Sequence, residues 1–373
     1  MGYACGSWDP AEQSIRPANA GLHWIERKLT VYLLGTIDLL TGLIGITIAM
    51  TSPPLPPASL DEHLNSARGI AVFRSDPFTF PLPEGHRFPA EKYRLLTRGL
   101  MEQGIVSEGD MHIPREATRE ELLRAHTADY LDRLESGAMA PREMRRIGLP
   151  WSAELVRRAY RSVGGTIQSC FAALADGAAV SLAGGTHHAF PDRGEGYCLL
   201  NDVAVAARAV QAAGRAERIL VIDADVHQGN ATAYIFRDDP TVFTFSIHGR
   251  NNFPLQKQTS DLDVELEDET GDEAYLAALQ NSLAVIGKRF AADLAIYLAG
   301  ADPHRNDRYG RMVLSKKGLE ERDRQVSGFC RKHGLPIAVT MAGGYGRDIG
   351  DTVAIHVQTV GIFRGEEPGQ VFW

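Results

Sequence analysis

The chain is poor in several features that would assign it a role at once. Four cysteines in 373 residues (Cys5, Cys170, Cys198, Cys330) stand far apart, and none is paired at redox or metal spacing. A chain of this length needs no disulfide staples, so they read as reduced thiols of a cytoplasmic protein. No lysine- or arginine-rich tract occurs, the net charge is −8 and the pI is near 5.9. This speaks against direct nucleic-acid binding and leaves a mildly acidic surface. No internal repeat or low-complexity tract interrupts the chain beyond residue 69, which excludes an array of small modules.

One long apolar run is present. Residues 29–50, LTVYLLGTIDLLTGLIGITIAM, are numerous enough to cross a bilayer, with Arg27-Lys28 as a positive flank. Asp38 in mid-span opposes insertion by roughly 2.5–3.5 kcal/mol, and glycines and threonines dilute the run. The charged lead is long and no A-x-A site follows, so a signal peptide fits poorly. The run is read as accessory or non-native sequence, with Met50 a candidate start and a membrane anchor as the alternative. A proline-rich linker, TSPPLPPASL, spans 51–60. The expected organisation is an N-terminal extension over 1–68 and one catalytic domain over 69–373.

Beyond residue 69 the pattern alternates. Strands are expected at 69–73, 178–182, 218–222, 241–247, 293–298 and 336–341. Helices are expected at 90–103, 127–134, 152–174, 201–213, 272–290, 315–333 and 348–359. Residues 105–150 also hold a short strand and a basic loop through Arg142, Arg145 and Arg146. Such alternation implies a mainly parallel sheet covered on both faces, an α/β fold.

Ligands of such sheets bind at the carboxyl ends of the strands, and here polar residues gather there. Residues 219–223 run into Ala224-Asp225-Val226-His227-Gln228-Gly229-Asn230. Alternation along extended backbone puts Asp223, Asp225 and His227 on one side. Aspartate with histidine suits a borderline divalent metal, zinc first. Other strands run into Gly184-Gly185-Thr186-His187-His188, Gly300-Ala301-Asp302-Pro303-His304 and Gly343-Gly344-Tyr345-Gly346. Small residues in these loops let backbone and ligand approach closely.

The ordered motifs GGTHHAF, GEGYCLLNDVAVA, VIDADVHQGNA, SIH, NNFP, TGDEAYL, GADPH and AGGYGRD span about residues 69–363. Together they resemble the zinc-dependent histone deacetylase family, closest to its class IV and bacterial branch. The resemblance implies the arginase–deacetylase fold, a three-layer αβα domain with an eight-stranded, mostly parallel sheet. It implies one catalytic zinc on Asp225, His227 and Asp302, which leaves a position open for water and substrate. It makes His188 the general base and acid, His187 its support, Asp223 the carboxylate orienting His187, and Tyr345 the donor to the oxyanion. It places a structural potassium ion among Asp223, Asp225, His227 and Ser246. Tyr197 and Phe253 would wall an acyl tunnel, with Gly196 and Cys198 close by.

Asn230 departs from the class I pattern, where an aspartate faces the base. An amide can still accept from the imidazole but brings no charge to it. No acidic rim residue can be placed within 105–150. His304 and Asp307 are candidates for the pocket rim or for local loop structure, and His86 and His333 read as structural. Cys198 reads as ordinary core without chemistry of its own.

The activity implied is removal of an acetyl or other acyl group from a lysine side chain of a protein or peptide. The alternatives are an amidohydrolase for acetylpolyamines or other small acylated amines, a two-manganese ureohydrolase of the same fold, and a non-catalytic acyl-lysine binder.

Overall fold

The computed structural model describes residues 69–365. The apolar run 29–50, the proline-rich segment and Cys5 lie outside the described residues. Among the described residues no helix is long and apolar enough to cross a membrane.

The strands are β1 (Ala71–Phe73), β2 (Met111–His112), β3 (Ala178–Ser181), β4 (Ile219–Asp223), β5 (Val242–Gly249), β6 (Leu262–Leu266), β7 (Leu294–Leu298) and β8 (Ile337–Thr340). The helices in the first half are α1 (Lys92–Glu102), α2 (Arg119–Leu122), α3 (Ala128–Ser136), α4 (Pro141–Ile147) and α5 (Ala153–Asp176). Those in the second half are α6 (Asp202–Ala212), α7 (Asn230–Phe236), α8 (Asp272–Arg289), α9 (Lys316–His333) and α10 (Ile349–Arg364).

The strands form one sheet in the order β2-β1-β3-β8-β7-β4-β5-β6, and every neighbouring pair is parallel. The reason is visible in β4, whose ILVID sequence is buried at every position. Ile219 and Val221 join the apolar cluster on one face with α5 and α6. Leu220 and Ile222 join the cluster on the other face with α8, α9 and α10. A strand covered on both faces has no solvent side, so it reads as a continuous apolar run. The result is the three-layer α/β architecture that the sequence implied.

The alternating elements fall within a few residues of their expected places. Ser152 caps α5 by accepting from the Leu155 amide, and Asn201 caps α6 by accepting from the Ala204 amide. One expectation is corrected. The basic stretch through Arg142, Arg145 and Arg146 is the helix α4, not a loop. Pro141 supplies a ready-made first-turn φ and Gly148 closes the helix at φ +81°, a pairing legible in the sequence. Helix α7 and strand β6 were not foreseen.

The four loops that carry the polar residues leave β3, β8, β7 and β4. These strands are contiguous in the middle of the sheet, so the loops necessarily meet. Beneath them lies Arg322 of α9, fully buried beside Asp323. Its Nε donates to Asp323 Oδ1 at 2.8 Å. Its Nη1 donates to the carbonyls of Gly300 and Ala224, one in each of the loops after β7 and β4. Asp323 also accepts from the Tyr297 and Thr359 hydroxyls, both at 2.6 Å. Removing one partner of a buried pair leaves the other charge stranded. Arg322→Ala is therefore expected to lower the unfolding free energy by about 3–5 kcal/mol in urea titrations. A loss below about 1 kcal/mol, the value of a surface pair, would show that the guanidinium holds nothing.

Candidate active site

The loop after β3 presents the two histidines, and Asp202 at the start of α6 fixes it. Asp202 Oδ2 accepts from the Gly185 amide at 2.9 Å, and Oδ1 accepts from the Thr186 amide at 2.7 Å. His187 and His188 then lie with their ring centres 4.1 Å apart, yet they meet different partners. His187 Nδ1 lies 2.6 Å from Asp223 Oδ2. His188 Nδ1 lies 2.7 Å from Asn230 Oδ1. An amide oxygen only accepts, so His188 carries its proton on Nδ1 and keeps a lone pair on Nε2.

Asp225, His227 and Asp302 converge with one donor atom each, all within 4.8 Å of one another. His227 Nδ1 is 2.9 Å from Asp225 Oδ1 and 3.2 Å from Asp302 Oδ2. Asp302 is fully buried, and its Oδ2 has no hydrogen-bond partner. Glycine makes this closeness possible: a Cβ on Gly343 would lie 2.0 Å from Asp302 Oδ2 and 2.6 Å from Asp225 Oδ2. Two carboxylates and one imidazole nitrogen, with an orphaned buried oxygen among them, fit a zinc-like divalent cation.

Charge is unevenly distributed over these groups. Burial disfavours the His187 cation, but Asp223 and Asp225 outweigh it and push its pKa up to about 9. Burial is likewise outweighed at His227, where Asp225 and Asp302 push the value up to about 10. His188 goes the other way, well below the usual range, because burial adds to repulsion from His187 and His227. Burial and then the neighbouring Asp225 hold Asp302 up, at about 7. Burial, reinforced by Asp225 and Asp302, keeps the Tyr345 phenol well above its ordinary value and so protonated.

A cavity of about 420 Å³ leads to this cluster and is lined by Gly196, Tyr197, Cys198, Phe253, His188, Asp225, His227 and Tyr345 among others. The four expected tunnel residues therefore sit together. The Phe253 ring stands edge-on to His188 at 4.8 Å, after which the chain turns through a cis Phe253–Pro254 bond. Asp223, Asn230 and Ser246 lie behind the lining. Ser246 faces Asp223 across the β4–β5 ladder, with its hydroxyl on His248 Nδ1 at 2.9 Å.

Asp307 does not line the cavity. Its carboxylate accepts from the amides of Tyr309 (2.8 Å), Gly310 (3.0 Å) and Tyr345 (2.7 Å), tying the loop after β7 to the loop after β8. His86 is structural, accepting from the Phe88 amide and reaching the Gly148 carbonyl. His304 is buried in its loop.

Sequence reasoning missed several neighbours. Tyr309 lines the cavity, with its hydroxyl 3.0 Å from that of Tyr197. Lys92 donates from within the protein to the carbonyls of Ala342 and Gly344, bracing the loop that carries Tyr345. Glu195 accepts from Asn230 Nδ2 at 2.9 Å. An aromatic seven residues beyond Asp302 in a glycine-bounded loop was the available signal for Tyr309. Lys92 looked like any helix-start lysine. Among the described residues no acid from 105–150 lines the cavity.

The histone deacetylase domain pattern matches residues 86–360. The chain belongs to the histone deacetylase family. It is 45% identical to an uncharacterized protein of Picosynechococcus, over 77% of this chain and 96% of that protein. It is 32% identical to the acetoin utilization protein AcuC of Bacillus subtilis, over 73% of this chain and 75% of that protein. It is 28% identical to a histone deacetylase-like amidohydrolase of Pseudomonas aeruginosa, over 71% and 74%. The fold matches that of a deacetylase homologue from Aquifex aeolicus with a TM-score of 0.70 at 24% identity, covering 80% of this chain and 84% of that one. As a family member the chain falls among the deacetylase-type amidohydrolases.

With His227 held in its protonated form and Asp302 pushed up toward neutrality in the free site, metal entry must displace protons. Zinc titrated into the metal-free protein is expected to bind more tightly at pH 8 than at pH 6. The calorimetric heat should scale with the buffer's ionisation enthalpy. Asp302→Asn or His227→Ala should abolish tight binding. Equal affinity in those variants would remove the three residues from the site.

Proposed function

We propose that the chain is a zinc-dependent deacylase that hydrolyses the acetyl or other acyl amide of a lysine side chain. The observation that carries this reading is one convergence. His188, whose Nε2 keeps a lone pair, and Tyr345 line one cavity with aromatic walls together with Asp225 and His227, and Asp302 completes their donor set from behind that lining. A divalent cation held by the three donors would act as a Lewis acid on the scissile carbonyl and acidify the attacking water.

The chain's own groups do the rest. His188 Nε2 takes a proton from water as its oxygen attacks the carbonyl carbon, then delivers it to the amine nitrogen as the C–N bond breaks. The products are a carboxylic acid and a free amine, which become carboxylate and ammonium once the acid's proton passes to the amine. Tyr345 Oη donates to the carbonyl oxygen as that oxygen gains charge, and its protonated state suits it to donate. Aromatic faces at Tyr197 and Phe253 hold the acyl-bearing chain and exclude water. His187, bound to Asp223, places a second positive group beside the donor set. The reading includes a structural potassium ion served by Asp223, Asp225, His227 and Ser246, partly through backbone carbonyls. It also takes residues 69–373 as the catalytic domain, and the buried unpaired thiols of Cys170, Cys198 and Cys330 as suited to the reducing cytoplasm.

A second reading, hydrolysis of a small acylated amine, draws on Tyr309. Its hydroxyl meets that of Tyr197 at 3.0 Å in the cavity wall, an arrangement suited to a slender acylated amine. A panel of acetyl-lysine peptides, longer acyl-lysines and acetylpolyamines, run on one sample of measured metal content, separates the two. Tyr345→Phe is expected to lower kcat by about 10²–10³-fold with metal content unchanged. His188→Ala should lower it by about 10²–10⁴-fold. Full turnover by metal-free protein would sink the mechanism.

A further inference from the structure

We propose that Glu195 is a positioning residue for proton transfer: its carboxylate fixes the Asn230 amide, and that amide fixes the tautomer of His188. The inference rests on His188 being the proton-transfer group.

The constraint begins with a symmetry problem. An asparagine amide has two nearly isosteric orientations. With Oδ1 toward His188, the imidazole keeps its proton on Nδ1 and its Nε2 lone pair faces the cavity. With Nδ2 toward His188, the proton moves to Nε2 and the base is lost. Asn230 alone does not choose between them, whereas an aspartate at this place would have no such choice to make.

The choice is made one residue further back. Glu195 Oε1 lies 2.9 Å from Asn230 Nδ2, while Asn230 Oδ1 lies 2.7 Å from His188 Nδ1. A carboxylate accepts and cannot donate, so the amide NH2 must face Glu195 and the oxygen must face His188. The charge on the acceptor makes this the stronger kind of hydrogen bond. The flipped amide would set oxygen against oxygen. Asn230 is itself buried, so no bulk water is at hand to satisfy a flipped arrangement.

The backbone is shaped to deliver the carboxylate there. The Cys198 amide donates to the Glu195 carbonyl at 2.9 Å across a turn whose two central residues, Gly196 and Tyr197, have φ +58° and +65°. Two successive positive φ values give a type I′ turn. Strain of this kind at a non-glycine residue is kept where a site needs it. A Cβ on Gly196 would lie 2.6 Å from His188 Cδ2, so the turn rests directly on the ring that it orients.

The test uses the full-length, zinc-loaded chain with 15N-labelled histidine, and long-range 1H–15N spectra of His188. Wild type is expected to show Nδ1 protonated and Nε2 bare. Glu195→Ala is expected to give a mixture of tautomers and a kcat reduced at least 10-fold, with KM within about 3-fold. Glu195→Gln, whose side-chain oxygen can still accept, should lie between. The decisive arm is the Asn230→Asp background, where no amide needs orienting and Glu195 faces a like charge. There Glu195→Gln should raise kcat. A Glu195→Ala protein with an unchanged tautomer, or an equal fall in kcat on both backgrounds, overturns the inference. Should Glu195→Ala not fold, the two Glu195→Gln comparisons still decide. Turnover that survives His188→Ala would instead defeat the reading of His188, and the tautomer spectra would still judge Glu195.

Discussion

Burying anions is the constraint on which the top of this sheet depends. Asp223, Asp225 and Asp302 lie at neighbouring strand ends and Asp202 at the start of α6, each with at most 3% of its surface exposed. A carboxylate removed from water costs several kcal/mol unless donors replace the water. The loops supply them: Gly185 and Thr186 to Asp202, Gly343 to Asp225, and Val226 to Asp302 at 2.9 Å. His187 and His227 answer Asp223 and Asp225, and Arg322 holds two of the loops from below. The acids therefore organise the backbone around them, and the site's rigidity follows from satisfying them. Of these four carboxylates, Asp302 alone has a buried oxygen without a hydrogen-bond partner, Oδ2, and it lies where a cation would be welcome.

Two adjacent histidines show how finely partners divide labour. His187 and His188 share a loop, a burial depth and nearly a ring-to-ring contact. One faces a carboxylate and is driven toward its charged form, the other faces an amide and is driven toward its neutral form. Adjacent titratable groups pushed apart by their environments are the usual mark of separate roles in acid–base chemistry.

Much of this was legible in the sequence, because both the fold and the site obey local rules. Apolar runs such as ILVI, alternating with helical segments, read as doubly covered strands, and polar residues after them gather at one edge of a parallel sheet. Position and type alone drew attention to Asp223, Asp225 and His227, and the family resemblance supplied the roles expected of Asp302, His187, His188 and Tyr345. What escaped were residues whose importance lies in a partner far away in sequence. Arg322 looks like one charge among many in KKGLEERDRQ, and only folding shows it buried beneath two loops. Glu195 drew no reading from the sequence, and its bond to Asn230 spans 35 positions. Asp307 was assigned to rim or loop with equal reason, and its carboxylate decided for the loop by capping three amides. Helix α4 was misread because its arginines outweighed the proline and glycine that bound it.

The cavity walls differ in how freely they can change. Tyr197 shares its turn with Glu195, and a Cβ on Gly148 would already press its ring at 3.1 Å. Tyr309 hangs from the same carboxylate that positions Tyr345. Each is mechanically geared to a proton donor or acceptor, so resizing either wall would disturb the chemistry. Phe253, 41% exposed on its own loop, touches the His188 ring by packing alone and shares no turn or carboxylate with either group. Divergence toward new substrates should therefore accumulate on the Phe253 side, leaving the opposite wall as the fixed jaw of the vice.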